Sequence, residues 1–150
     1  MIVSTDDLTS LPRGIAMVDG GFDPLHGGHI AYFRAAAELG APVLCNVSGD
    51  AYVSRKHPPV IPERERIAVI DAIRYIEYVH LSNMSTAAVL KRVAPGWYVK
   101  GADWRGRLPA EEVSVCESKG VEIVFLETVT NSSTQLFERL VEKIAEMDKG

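Results

Sequence analysis

The residues with the most chemical content sit together in Gly20-Gly21-Phe22-Asp23-Pro24-Leu25-His26-Gly27-Gly28-His29. His26 and His29 carry two imidazoles across one turn and can reach the same anion. Gly20 and Gly21 permit positive φ and close approach of a ligand to the backbone, Gly27 and Gly28 keep side chains off the floor of the turn, and the helix that begins near His29 is expected to aim free N–H groups outward. Asp23 is the nearest carboxylate and either contacts ligand or braces the turn. A second polar stretch, Val47-Ser48-Gly49-Asp50, offers Asp50 as a hydroxyl-orienting group or a helix cap. A third, Arg55-Lys56-His57-Pro58-Pro59, is a short basic loop. The flexible ammonium of Lys56 suits a point contact to phosphate, and His57 reads as a bystander. Trp97 to Trp104 is a fourth: core packing explains Trp97 to Val99, but not Gly101 or Asp103. The fifth, Thr130-Asn131-Ser132-Ser133-Thr134-Gln135, gathers hydroxyls where a last helix would open, a place that suits phosphate. The plain readings are a Gly-rich turn with two surface histidines, solvated loops, a strand end with a surface Trp, and a Ser/Thr helix cap.

These groups need elements to bring them together. Apolar runs at 15–18, 43–47, 78–81, 97–100 and 121–126 read as strands covered on both faces. Helical stretches lie between them at about 28–39, 62–76, 85–93 and 109–119, with a last one at about 132–147. Ile67, Ile70, Ile73 and Ile76 supply the apolar stripe of the second helix. Pro62 fits a first helical turn, Ser85 or Thr86 an N-cap, and Gly40 and Gly120 the C-cap positions. Residues 1–14 read as an N-terminal arm punctuated by Pro12 and Gly14. Strict β–α alternation predicts an α/β, Rossmann-like, doubly wound and mainly parallel five-stranded sheet with helices on both faces, as a single domain over 1–150. Ligands of such sheets gather at the carboxyl ends of the strands, where strand order reverses. Every polar stretch above except the basic loop at 55–59 directly follows a strand.

The HxGH pattern at His26–His29, preceded by Phe22-Asp23, resembles the nucleotidyltransferases of the cytidylyltransferase-like superfamily. Val99-Lys100-Gly101-Ala102-Asp103-Trp104 resembles the VKGxD(W/Y) signature of ADP-heptose synthases and the GDDW of glycerol-3-phosphate cytidylyltransferases. Ser132, Ser133 and Thr134 match the STT that follows. The resemblance spans roughly Gly14 to Leu140 and is not uniform. Glu127 to Thr130 reads ETVT where the glycerol phosphate group has RTEG, which points to the heptose type. Phe137 stands where phosphopantetheine and nicotinamide mononucleotide adenylyltransferases have Arg, although Phe22-Asp23-Pro24 is more like that group.

The resemblance implies transfer of a nucleoside monophosphate, AMP before CMP, from a nucleoside triphosphate to a sugar phosphate of heptose-1-phosphate type, with release of pyrophosphate. It implies His26, His29 and Lys56 as catalytic residues. Gly20, Gly21, Phe22, Asp23, Gly28, Gly101, Asp103, Trp104, Ser132, Ser133 and Thr134 would hold the nucleotide, and Asp50, Arg55 and Lys56 the acceptor. Arg66 is expected to support neighbouring loops. Mg²⁺ would arrive with the triphosphate, with no protein metal site. The turn is expected to keep its shape through its glycines rather than its imidazoles. A cytidylyltransferase acting on glycerol phosphate or a similar polyol phosphate is one alternative, and a non-catalytic nucleotide-binding regulator another.

Composition sets the outer limits. A chain of 150 residues, 47% hydrophobic and 24% charged, can bury one α/β core. Its net charge of −4 argues against a nucleic-acid binder. Cys45 and Cys116 suit neither a zinc cluster nor a disulfide framework, so a reducing cytoplasm is expected. No apolar run approaches the ~20 residues of a membrane span, and residues 1–14 lack a signal core. A homodimer is compatible with all of this.

Overall fold

The computed structural model describes residues 1–127 and 133–150. Among them six parallel strands form one sheet: β1 (Ile2–Val3), β2 (Ala16–Gly20), β3 (Val43–Ser48), β4 (Tyr78–Ser82), β5 (Trp97–Gly101) and β6 (Glu122–Leu126), in the order β1-β4-β3-β2-β5-β6. The helices are α1 (Gly27–Ala37), the single turn α2 (Asp50–Val53), α3 (Glu63–Asp71), α4 (Thr86–Val93), α5 (Ala110–Lys119) and α6 (Ser133–Asp148).

Side chains of a strand alternate between faces, so each buried strand feeds two cores. Ala16 and Val18 of β2 pack with Phe33 of α1 and Ile70 of α3. Met17, between them, packs on the other face with Tyr98, Val89 and Leu90 of α4 and Cys116 of α5. This double burial is why the strands read as unbroken apolar runs.

The doubly wound parallel sheet is as expected, but it has six strands rather than five. The N-terminal arm contributes the sixth: Ile2 and Val3 pair with Val79 and His80, and Leu8, in the 3-10 turn Asp6–Ser10, is fully buried. A two-residue strand leaves no periodicity to detect. The helix expected over 62–76 ends at Asp71. Ile73 and Ile76 still reach the core, but from turns closed by bonds to the Ile70 and Ile73 carbonyls. Successive turns keep the apolar spacing of a helix without continuing it. Two caps fall where expected, while Gly40 lies beyond the C-cap of α1, which is Glu38, and Pro62 precedes α3 as its N-cap. Ser85 accepts from the Ala88 amide, and Gly120 closes α5 at φ 68°.

Strand order reverses between β2 and β5, and there the ladder is incomplete. β2 pairs with β3 from Ala16 through Gly20, but with β5 only at Ala16–Trp97 and Met17–Tyr98. Beyond those rungs the hydroxyl of Tyr32, from α1, stands between the strands. It donates to the Val99 carbonyl, and the Tyr32 oxygen itself receives a backbone hydrogen bond from Asp19. A side chain thus satisfies buried backbone groups that the ladder leaves open.

Candidate active site

A cleft of about 390 Å³ occupies this gap at the carboxyl ends of the strands. One wall is the turn from β2 into α1. His26 is the N-cap of α1, and the two histidines close a reciprocal box. The Gly28 amide donates to His26 Nδ1 at 3.1 Å, and the His26 amide donates to His29 Nδ1 at 3.2 Å. Both Nδ1 atoms are therefore acceptors, which puts the proton of each neutral ring on Nε2. The rings stack with centroids 3.9 Å apart, and Phe22 meets His29 edge-on at 5.0 Å. Burial lowers the pKa of both; for His29, burial and then the charge of His26 bring it to about 4. At neutral pH the pair is uncharged and offers two Nε2–H donors. His29 lines the cleft, while His26 stacks on it with its Nε2 enclosed and unpartnered among the described residues.

The box corrects two expectations. The start of α1 does not aim a row of free N–H groups outward: Gly28 donates to His26 Nδ1, and His29 and Ile30 to the His26 carbonyl. The imidazoles also help to hold the turn. Nor do Gly20 and Gly21 take positive φ; that conformation falls on Phe22, at φ 52°. Gly20 is needed for space instead, because a Cβ there would lie 3.0 Å from the Phe22 ring.

Behind this turn lies a brace. Asp23 accepts from the amides of Val60 and Ile61, both at 2.8 Å, which fixes the basic loop against the turn. Arg66 is 2% exposed and donates to the carbonyls of Ile61, Gly21 and Ser48 and to Asp50 Oδ1 at 2.6 Å. One guanidinium thereby ties the loops after β2 and β3 together. Lys56 lines the cleft, and among the described residues its ammonium has no partner. His57 also lines it, 5.0 Å from the Phe137 ring, so it belongs to the wall rather than standing by.

The opposite wall comes from the α4/α5 face. Lys100 Nζ is 2.8 Å from Asp19 Oδ1 and 4.3 Å from the centroid of the Trp104 ring. Thr86 donates to Asp19 Oδ2 at 3.0 Å, and the Tyr98 hydroxyl donates to Glu112 Oε1 at 2.6 Å. Burial, with Asp19 and Glu112 nearby, raises the Tyr98 pKa far above its usual value. Burial is also the main cause of a raised pKa at Glu112.

Of the residues singled out from sequence, Gly20, Gly21, Phe22, Asp23, His29, Lys56, Gly101, Asp103, Trp104, Ser133 and Thr134 line this one cleft. Ser133 also donates to the Pro24 carbonyl. Gly28 and His26 are not in the lining, although His26 stacks on His29, and Ser132 falls outside the described residues. Asp50 and Arg55 are not in the lining: Asp50 is held by Arg66, and Arg55 packs over the Tyr52 ring at 5.0 Å. Asp19, Tyr32 and Glu112 were not singled out, Thr86 was read only as a candidate cap, and Lys100 was given no role. A signal existed for two of them, since Asp19 and Lys100 each put a charge near the carboxyl end of an apolar strand.

Comparison with known proteins gives this geometry a family. The cytidylyltransferase-like family model matches residues 17–139. The Bifunctional protein HldE of Pseudomonas syringae pv. syringae is 32% identical over 148 residues, which is 96% of this chain and 30% of that protein. That of Campylobacter fetus subsp. fetus is 30% identical over 137 residues, 87% of this chain and 30% of the relative. The chain thus spans about 30% of the length of these curated relatives. The fold is also that of a lipopolysaccharide core biosynthesis protein from Thermoplasma volcanium, with a TM-score of 0.68 at 24% identity over 79% of this chain and 100% of that one. A putative nicotinate-nucleotide adenylyltransferase from Vibrio parahaemolyticus gives 0.59 at 17% identity, covering 88% and 89%. No helix among the described residues is long and apolar enough to cross a membrane. The match over 17–139, laid on a parallel sheet whose histidine turn opens onto the strand-reversal cleft, shows that the chain belongs to the cytidylyltransferase-like family and carries its nucleotidyltransferase domain.

Proposed function

We propose that the chain transfers the nucleoside monophosphate unit of a nucleoside triphosphate to a sugar phosphate of heptose-1-phosphate type. The observation that carries this reading is the enclosed, unpartnered His26 Nε2 stacked on His29 at the edge of the cleft. A buried donor without a partner costs about 1–3 kcal/mol, and a bound phosphate oxygen would supply the missing acceptor.

An oxygen of the acceptor's phosphate attacks the α-phosphorus. A new P–O bond forms as the bond to the β-phosphate oxygen breaks, and pyrophosphate leaves with that electron pair. Charge gathers on the α-phosphate oxygens and on the leaving group. Neutral Nε2–H donors at His26 and His29 stabilise the first without the strong ground-state attraction of a cation. Lys56 steadies a phosphate that comes and goes, and the start of α6 at Ser133 and Thr134 faces the pyrophosphate. Ser132 belongs to the same group by sequence. Asp103 and Trp104 border the space for the nucleoside, with Gly101 admitting it to the backbone. The phosphate dianion is its own nucleophile, so no general base is required.

Mg²⁺ fits as a companion of the triphosphate, neutralising its oxygens. Asp19 and Asp23 are committed to protein partners, whereas the cleft carboxylate of Asp103 has none among the described residues. The likeness of Val99 to Trp104 to the ADP-heptose synthase signature, with ETVT in place of RTEG at Glu127 to Thr130, favours ATP as donor in a cytoplasmic setting. The test is pyrophosphate release from ATP, CTP, GTP and UTP against heptose, hexose and glycerol phosphates. Release with ATP and a sugar phosphate is expected. Release only with CTP and glycerol phosphate supports the polyol reading, and nucleotide binding without release from any pair makes the chain a nucleotide-binding regulator.

A further inference from the structure

The cleft has two chemically different walls, and of the acceptor residues expected from sequence Lys56 lines it, whereas Asp50 and Arg55 lie on neither wall. We propose that the α4/α5 wall is the subsite for the hydroxyl-bearing part of the phosphorylated acceptor, and that Glu112 is the residue that reads it. This rests on the transferase reading above and goes further by placing the acceptor.

The wall's charges decide what it can hold. Asp19 and Lys100 neutralise each other at 2.8 Å, which leaves Glu112 beside them, and Asp103 at the nucleoside end, as uncompensated carboxylates among the described residues. Such a wall gives no net attraction to a triphosphate, and the donors that suit one are on the histidine side. What a carboxylate can hold is a hydroxyl. Glu112 is 8% exposed and lines the cleft; its Oε1 takes the Tyr98 hydroxyl, and its Oε2 has no partner among the described residues. A buried acceptor with a vacant oxygen on a cavity is matched by a ligand O–H. Lys100 adds the complementary group. Its ammonium has three donors, one on Asp19, one side against the Trp104 ring, and so one left for a hydroxyl oxygen. Acceptor and donor side by side are what a polyol requires and what inorganic phosphate does not.

The wall is also rigid. Thr86 at the start of α4 fixes Asp19 and Tyr98 fixes Glu112, so a hydroxyl in the wrong place leaves the cleft-facing Glu112 oxygen without its ligand partner.

The experiment measures binding apart from turnover. Calorimetric titrations of glucose 1-phosphate, a heptose 1-phosphate, glycerol 3-phosphate, inorganic phosphate and ATP are run on the wild type, Glu112→Gln and the exposed neighbour Glu111→Gln. The Gln variant keeps an oxygen for Tyr98. A sugar phosphate is expected to bind the wild type more tightly than inorganic phosphate does. Glu112→Gln is expected to lose about tenfold or more of that affinity, with ATP and inorganic phosphate unchanged and Glu111→Gln like the wild type. Monodeoxy sugar phosphates repeat the test on unaltered protein should Glu112→Gln melt early; at least one must bind about tenfold more weakly. Three outcomes overturn the inference: no sugar phosphate binds better than inorganic phosphate, all deoxy analogues bind like the parent, or Glu112→Gln weakens ATP instead. Glu112-dependent sugar phosphate binding without any pyrophosphate release would instead overturn the transfer reaction and leave the subsite standing.

Discussion

The histidine turn and the Asp19–Lys100 pair face one cleft from opposite sides and use polarity in opposite ways. The turn holds uncharged rings whose inner nitrogens are tied to the backbone and whose outer nitrogens carry protons with no described partner at His26. The pair holds full charges spent almost wholly on each other and on Thr86. Removing a histidine should therefore cost chemistry more than stability, and removing one member of the pair should do the reverse. Polar content alone does not mark a catalytic wall; what matters is which atoms the fold leaves unspent.

The largest effect that could break this contrast is on stability. Lys100→Met strands a buried carboxylate at Asp19, whose side chain is 11% exposed, and should cost about 3–5 kcal/mol. Asp19→Asn combined with Lys100→Met should recover more than half of that loss in denaturant unfolding. If the single variant melts like the wild type, the pair is not the spent side of the comparison.

Next comes rate. His29→Ala should lower the single-turnover rate on the order of 10²–10³-fold while nucleotide affinity changes only a few-fold. His26→Ala should also lose about 1 kcal/mol of stability, because His26 caps α1. The double variant should lose less rate than the product of the singles, since both rings would serve one phosphate. Folded single variants with near wild-type turnover would sink the assignment.

Acidification sharpens the contrast more gently. The folded pKa of His29, about 4, lies below its ordinary 6.5, so the unfolded chain binds the proton more readily. The resulting stability, up to about 3 kcal/mol, is complete above pH 6.5 and is lost as pH falls through 4. Burial lowers His26 and His80 as well, so the comparison is with His29→Gln. The wild type should lose more stability than this variant between pH 6.5 and 4. Equal losses would mean His29 is not held neutral by the fold.

The smallest effect is a calibration. Ser85→Ala removes the α4 cap just before Thr86 and should cost about 1 kcal/mol with turnover per folded molecule unchanged. A rate loss of tenfold would show that the spent wall takes part in chemistry.

The β–α order and both core faces were legible because apolar runs and cap residues are local signals. The site was legible where chemistry follows a strand: Gly20 to Asp23, His29, Lys56, Gly101 to Trp104, Ser133 and Thr134 meet in the cleft. What was not legible depends on pairing across the sheet. Tyr32 reads as one more residue of an amphipathic helix until β2 and β5 part beside it. Glu112 reads as a surface acid in the first turn of α5 until Tyr98 is seen to reach it across the strand. Asp50 lies outside the lining for a reason that nothing local shows, since it is Arg66 that holds it.

The two-rung join between β2 and β5 also has a mechanical consequence. The sheet is in effect two plates, β1-β4-β3-β2 and β5-β6, hinged along Ala16–Met17 and pinned once more by the Tyr32 hydroxyl. Each plate is stiffened by an unbroken ladder, five rungs between β2 and β3 and five between β5 and β6. A small rotation about that hinge would change the mouth of the cleft while disturbing few backbone bonds. Removing the pin with Tyr32→Phe should therefore loosen the seam first, seen as faster deuterium uptake at the Asp19 and Lys100 amides than at those of β3.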